Sequence, residues 1–207
     1  MLQGLYVLTD SRVYPHSQWP TRVEAIIEGG AAVIQLRDKI LNDDELLPHA
    51  LKLQEVCMAH KVPLIINDRV ELAKKIDADG VHIGKDDKSL KAARDYLGND
   101  FYIGVSCYRD IYAAIRAQQL DADYVAFGRL FPSHTKHDAS YCPLSVIQKA
   151  AEQIYLPICG IGGITVNNVK KVLQAGASLI SVADAVFNAD DPKSAAEAFE
   201  ELLVNSY

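Results

Sequence analysis

The chain alternates between two kinds of segment. Short β-branched or apolar runs recur at GLYVLT (4–9), AVIQLR (32–37), VPLIIN (62–67), DGVHIG (79–84), FYIGVS (101–106), DYVAFG (123–128), LPICGIG (156–162) and SLISVA (178–183). Each is nearly continuous in hydrophobicity, as strands buried on both faces are. Between them lie amphipathic stretches. Over 43–60, Leu46, Leu47, Ala50, Leu53 and Cys57 fall at helical spacing, and 88–97, 109–120, 144–154, 166–175 and 191–204 follow the same period. Thr165 and Asp191 are expected N-caps, with Pro192 at a first helical position. Gly29, Gly30, Gly98 and Gly176 fall where helices should end.

Eight strands alternating with helices predict an α/β chain folded as a single (β/α)8 TIM barrel, one domain over 1–207. The main rival is a doubly wound open sheet. No G-x-G-x-x-G follows the first strand, which weakens a dinucleotide-binding version. The length suits one domain with few insertions.

Composition narrows the partners. Lys and Arg number 21 against 27 Asp and Glu, a net charge of −6. A broad nucleic-acid surface is therefore not expected. No apolar run approaches the roughly 18 residues of a membrane span. The opening MLQGLYVLTD does not read as a signal peptide. Cys57, Cys107, Cys142 and Cys159 form no C-x-x-C pair, so free thiols in a reducing cytoplasm are the simplest account. A homo-oligomer stays open, because outer helices of a barrel serve as surface or interface equally well.

In such a barrel the active site lies at the C-terminal strand ends. Those ends carry Gln35, Arg37 and Lys39 after strand two, and Asn67 and Asp68 after strand three. Lys85, Asp86 and Asp87 follow strand four, and Ser106 ends strand five. Ser133, Thr135 and Lys136 follow strand six, and Gly160, Gly162 and Gly163 belong to strand seven. Arg37, Lys39 and Lys136 could clamp phosphate oxygens. Asp68 and Asp87 could hold Mg2+, which takes one or two carboxylates plus substrate phosphate. The glycines of GIGGIT (160–165) could cradle a second phosphate on backbone N–H groups. Two phosphorylated small-molecule substrates are the joint implication. Each feature alone has a plainer account: solvated strand-end charges, a helix cap, a tight turn. His134 and His137 read as solvated loop residues; His82, on a strand near the rim, has a better claim to the site, with a core histidine the plainer reading. Cys107 has no adjacent histidine to activate it.

YVLTD (6–10), IQLRDK (34–39), LIINDR (64–69), DGVHIGKDD (79–87), IGVS (103–106), DYVAFGRLFPSHTK (123–136) and GIGGIT (160–165) together resemble the thiamine-phosphate synthase family. The resemblance runs in order through all eight strand positions. It implies condensation of 4-amino-5-hydroxymethyl-2-methylpyrimidine diphosphate with a thiazole phosphate. The bond to pyrophosphate breaks first, and the thiazole nitrogen captures the pyrimidine methylene cation. It further implies magnesium on Asp68 and Asp87. Arg37, Lys39, Asn67 and Lys136 would hold pyrophosphate, and Ser106 would lie near the reacting methylene. Gln35, Leu36 and Asp38 would bind the pyrimidine substrate. Ser133, His134, Thr135, Gly163, Ala183 and Asp184 would line the thiazole phosphate subsite.

Several positions depart from the family pattern. Lys85 stands for the common Gln, and Tyr108 stands where many relatives carry His. Ser133 replaces Thr. Asp184 replaces a small hydroxyl residue, and a carboxylate there would repel a phosphate in the same pocket. A related thiazole tautomerase depends on a histidine aligned near Tyr108 and typically lacks the full pyrophosphate set. Both features favour the synthase. A non-catalytic phosphometabolite-binding relative is the rival from another class.

Overall fold

The computed structural model describes residues 2–84, 89–132 and 141–204. Eight parallel strands close into a barrel in sequence order: β1 (Gly4–Leu8), β2 (Ala31–Leu36), β3 (Leu64–Asn67), β4 (Gly80–Ile83), β5 (Tyr102–Tyr108), β6 (Tyr124–Phe127), β7 (Ile158–Ile161) and β8 (Leu179–Val182). All eight lie on the expected runs. Closure is made by β1 on β8, with Leu5 opposite Ile180 and Val7 opposite Val182.

The helices follow the strands: α1 (Trp19–Glu28), α2 (Asp43–His60), α3 (Val70–Lys75), α4 (Leu90–Leu97), α5 (Ile111–Gln119), α6 (Leu144–Ala151), α7 (Val169–Gln174) and α8 (Pro192–Val204). Side chains open most of the longer ones. Asn42 and Glu45 form a reciprocal capping box at α2. Ser89 caps α4 and Asp110 caps α5. Asp191 accepts from the Ser194 N–H at 3.1 Å, as the sequence predicted. The start of α7 differs. Asn168, not Thr165, takes the capping position, and its Oδ1 accepts from the Thr165 N–H at 2.9 Å. A turn through 165–168 therefore precedes the helix. The amphipathic pattern also leaves out α1 and α3.

Alternation along each strand sorts side chains between two cores. In β2, Ile34 and Leu36 turn outward into the layer shared with the helices, while Val33 packs inside the barrel. The interior set includes Tyr6, Ile65, Tyr124, Cys159 and Leu179. Tyr124 crosses the lumen so closely over Gly104 that a Cβ there would sit 2.0 Å from its Cζ. Only glycine fits beneath that ring. All four cysteines are free and buried. No helix among the described residues is long and apolar enough to cross a membrane.

Candidate active site

A cavity of about 610 Å³ opens at the C-terminal strand ends. Of the residues singled out in the sequence, Gln35, Arg37, Lys39, Asn67, Asp68, Ser106, Gly163, Ala183 and Asp184 line it. Asp87, Ser133, His134, Thr135 and Lys136, with Lys85, lie outside the described residues.

Two expected site residues do not line the cavity. The Leu36 side chain is buried in the outer layer, as its parity with Gln35 requires. Asp38 is buried beneath the loop after β2. Its carboxylate accepts from the Ile40 N–H at 2.8 Å and the Leu41 N–H at 2.6 Å, and contacts His16 Nε2 at 2.9 Å. Burial by itself would raise its pKa. These hydrogen bonds outweigh burial and hold the group below the usual carboxylate range. Asp38 thus shapes the loop between Arg37 and Lys39.

The β2 end is also fixed from β1. Thr9 Oγ1 accepts from the Arg37 N–H at 2.9 Å and donates to the Arg37 carbonyl at 3.1 Å. At β3, Asp68 sits at φ 63° with its backbone N–H on the His82 carbonyl at 2.8 Å. That turn brings its carboxylate against Asn67 Nδ2 at 2.6 Å and into an ion pair with Lys39 Nζ. Asp68 presents a hard oxygen ligand beside the Lys39 ammonium at the cavity wall. That donor chemistry fits magnesium, which keeps several waters and needs few protein carboxylates. The described residues hold no cluster of three or more His, Cys, Asp or Glu that could bind a metal.

The glycine turn after β7 is held from two sides. The Phe131 N–H donates to the Gly162 carbonyl at 2.9 Å, and Asn168 Nδ2 donates to the Gly163 carbonyl at 3.0 Å. Gly163 has φ 66°, and a Cβ there would lie 2.3 Å from the Pro132 carbonyl oxygen. The backbone itself therefore forms this wall of the cavity. After the neighbouring strand β8, Asp184 Oδ1 accepts from Asn188 Nδ2 at 2.9 Å and lies 3.7 Å from Arg12 Nη2. Arg12 is also paired with Asp10.

Sequence reading missed several groups of this cavity. Tyr6, Thr9, Asp10 and Arg129 line it, and so does His82, for which the core is the plainer reading in the sequence. His82 Nε2 lies 2.8 Å from Ser106 Oγ and its Nδ1 lies 3.0 Å from Tyr124 Oη. The available signal was strand parity: His82 lies between outward-facing Val81 and Ile83, so it must face the lumen.

The fold and its rim define a (β/α)8 barrel with a cation-bearing cavity at the C-terminal end of the strands, where enzymes of this fold carry their active sites. Residues 5–186 match the family model described as thiamine monophosphate synthase. The chain belongs to that family. It is 42% identical over 200 residues to the thiamine-phosphate synthase of Nitrosococcus oceani, covering 97% of this chain and 92% of that one. It is 43% identical over 202 residues to the thiamine-phosphate synthase of Methylobacillus flagellatus, covering 98% and 96% respectively. The solved thiamine phosphate pyrophosphorylase from Pyrococcus furiosus superposes with a TM-score of 0.90 at 31% identity, covering 99% of this chain and 96% of that one.

Proposed function

We propose that this chain is a thiamine-phosphate synthase. It joins 4-amino-5-hydroxymethyl-2-methylpyrimidine diphosphate to a thiazole phosphate and releases pyrophosphate. The observation that carries this reading is the meeting of Arg37, Lys39, Asn67, Asp68 and Ser106 in one cavity of a chain that belongs to this family.

The chemistry asks for charge stabilisation and alignment more than for proton transfer. The methylene–oxygen bond breaks, and its electron pair leaves with pyrophosphate. The thiazole nitrogen lone pair then forms the new carbon–nitrogen bond, giving a thiazolium. Arg37, Lys39 and Lys136 hold the leaving oxygens, Asn67 donates to them, and Ser106 lies by the reacting methylene. Ser133, His134 and Thr135, with the backbone at Gly163 and Ala183, hold the thiazole phosphate. Asp68 together with Asp87 would hold magnesium, which would supply neutralisation of the pyrophosphate charge. In this reading residues 1–207 act as one domain. The buried free thiols suit a reducing compartment, and we assign the chain to the cytoplasm.

The test is pyrophosphate release from the pyrimidine diphosphate, with and without thiazole phosphate, in magnesium and then in EDTA. Magnesium-dependent release accompanied by thiamine phosphate is the expected result. A folded protein that binds either ligand without turnover would instead be a phosphometabolite-binding relative.

A further inference from the structure

Five side chains form one continuous hydrogen-bonded chain across the barrel floor. Gln35 Nε2 donates to Tyr6 Oη at 2.7 Å. Tyr6 Oη and Tyr124 Oη are 2.8 Å apart. Tyr124 Oη lies 3.0 Å from His82 Nδ1, and His82 Nε2 lies 2.8 Å from Ser106 Oγ. The two ends, Gln35 on β2 and Ser106 on β5, both face the cavity. Tyr6 and Tyr124 are fully buried.

Proton counting gives this chain a direction. A phenol has one proton to donate. Tyr6 already receives the Gln35 N–H, so its own proton goes to Tyr124. Tyr124 then gives its proton to His82 Nδ1. A neutral imidazole accepting at Nδ1 carries its hydrogen on Nε2, and that hydrogen goes to Ser106 Oγ. The Ser106 hydroxyl hydrogen is left to point into the cavity. Burial pushes both phenol pKa values well above their ordinary value, so neither link ionises at physiological pH.

We infer that this chain is a polarity relay: the orientation of the Gln35 amide fixes His82 as the Nε2–H tautomer and makes Ser106 a hydrogen-bond donor toward the bound substrate. Tyr6, Tyr124 and His82 are positioning residues that act through the two ends. Gln35 keeps its carbonyl oxygen for a donor on the substrate. Ser106 seeks an acceptor there, such as an oxygen gaining negative charge as the bond to pyrophosphate breaks. That last consequence rests on the proposed reaction, whereas the tautomer does not.

The test is 15N NMR of the histidine rings in ligand-free protein at about pH 8, where an ordinary imidazole is neutral. The His82 signals are assigned by their loss in His82→Gln. Wild type is expected as the Nε2–H tautomer. Gln35→Glu, with its carboxylate shown to be ionised by infrared spectroscopy, can only accept. The whole chain must then reverse, and His82 becomes the Nδ1–H tautomer. Adding Tyr6→Phe to Gln35→Glu cuts the chain, so His82 should leave the reversed state. An Nδ1–H or doubly protonated His82 in wild type overturns the proposal, and so does an unchanged tautomer in ionised Gln35→Glu. The wild-type spectrum decides the direction even where Gln35→Glu does not fold. Because no substrate is present, a failure to form thiamine phosphate leaves this result standing.

Discussion

Lys39 and Asp68, at the ends of adjacent strands β2 and β3, are ion-paired across the cavity rim. The sequence assigned them opposite tasks, a cation for pyrophosphate and a carboxylate for magnesium. In this structure each is the other's ion-pair partner. Bound magnesium and pyrophosphate would separate them, one ligand to each partner.

Lys39→Ala should therefore shift two affinities in opposite directions. Magnesium alone should bind more tightly, by no more than about fivefold, since a largely exposed ion pair is worth 0 to about 1 kcal/mol. Pyrophosphate in the presence of magnesium should bind more weakly. Titration calorimetry of both ligands checks this. If the two affinities fall together, Lys39 supports the carboxylate rather than competing for it.

Gly104→Ala should injure both stability and turnover. The added Cβ would sit 2.4 Å from Tyr124 Oη as well as 2.0 Å from Cζ, so the buried ring must shift and give up its hydrogen bonds to Tyr6 and His82. Forcing a methyl into packed interior costs about 1–3 kcal/mol, and this contact belongs at the upper end. Urea unfolding gives the stability loss. Thiamine phosphate formation by the fraction still folded should also drop, because Tyr124 carries the middle of the hydrogen-bonded chain.

All eight strands could be read from the sequence because strands buried on both faces leave dense apolar runs. Helices α1 and α3 are left out of the amphipathic pattern. In α1 the signal is there, since Trp19, Val23, Ile26 and Ile27 fall at helical spacing just before Gly29, whereas α3 buries only Val70, Leu72 and Ala73, a run with no helical period. Rim residues such as Arg37 and Asp68 stand out because charge interrupts an apolar run. Asp38 also stood out, yet it is buried as a loop brace, a role decided by the N–H groups of Ile40 and Leu41 around it. The Tyr6–Tyr124 contact joins residues 118 positions apart, and no local pattern records it. Strand parity would have placed Tyr6, His82 and Tyr124 in the lumen; their partners needed the closed barrel.

Asp10 should make acid stability depend on one cluster. Burial raises its pKa, but the Arg12 side chain and backbone, with Asn188 Nδ2 at 3.1 Å, outweigh that and bring it down to about 2. A carboxylate depressed in the folded state adds stability above its unfolded value near 3.8 and loses it as pH falls through about 2. The side chain is almost wholly buried, so the full effect is about 2 kcal/mol. Urea midpoints between about pH 5 and pH 2 should fall more steeply for wild type than for Asp10→Asn. Parallel curves would remove Asp10 as a source of acid sensitivity.

Asp184 lines the cavity after β8, the strand next to the one that carries the glycine turn, and shares the Arg12 guanidinium with Asp10. Arg12 serves Asp10 first, through a bidentate contact, and reaches Asp184 at 3.7 Å. Two carboxylates, Asp10 and Asp184, thus meet on the side of the rim where the proposed reaction puts the thiazole phosphate. Like charges roughly 8 Å apart at an effective dielectric near 40 repel by about 1 kcal/mol. Asp184→Ser should accordingly lower KM for thiazole phosphate by about fivefold and leave KM for the pyrimidine diphosphate in place. It should also flatten the salt dependence of thiazole phosphate binding, since the repulsion being screened is gone. Steady-state kinetics at two ionic strengths separates this from a packing effect, which salt would not change. A KM that stays level or rises would mean that Asn188 and Arg12 hold the carboxylate out of the phosphate's field. The phosphate would then be held by backbone N–H groups around Gly163 and Ala183, and the serine variant would lose the Asn188 contact for no gain.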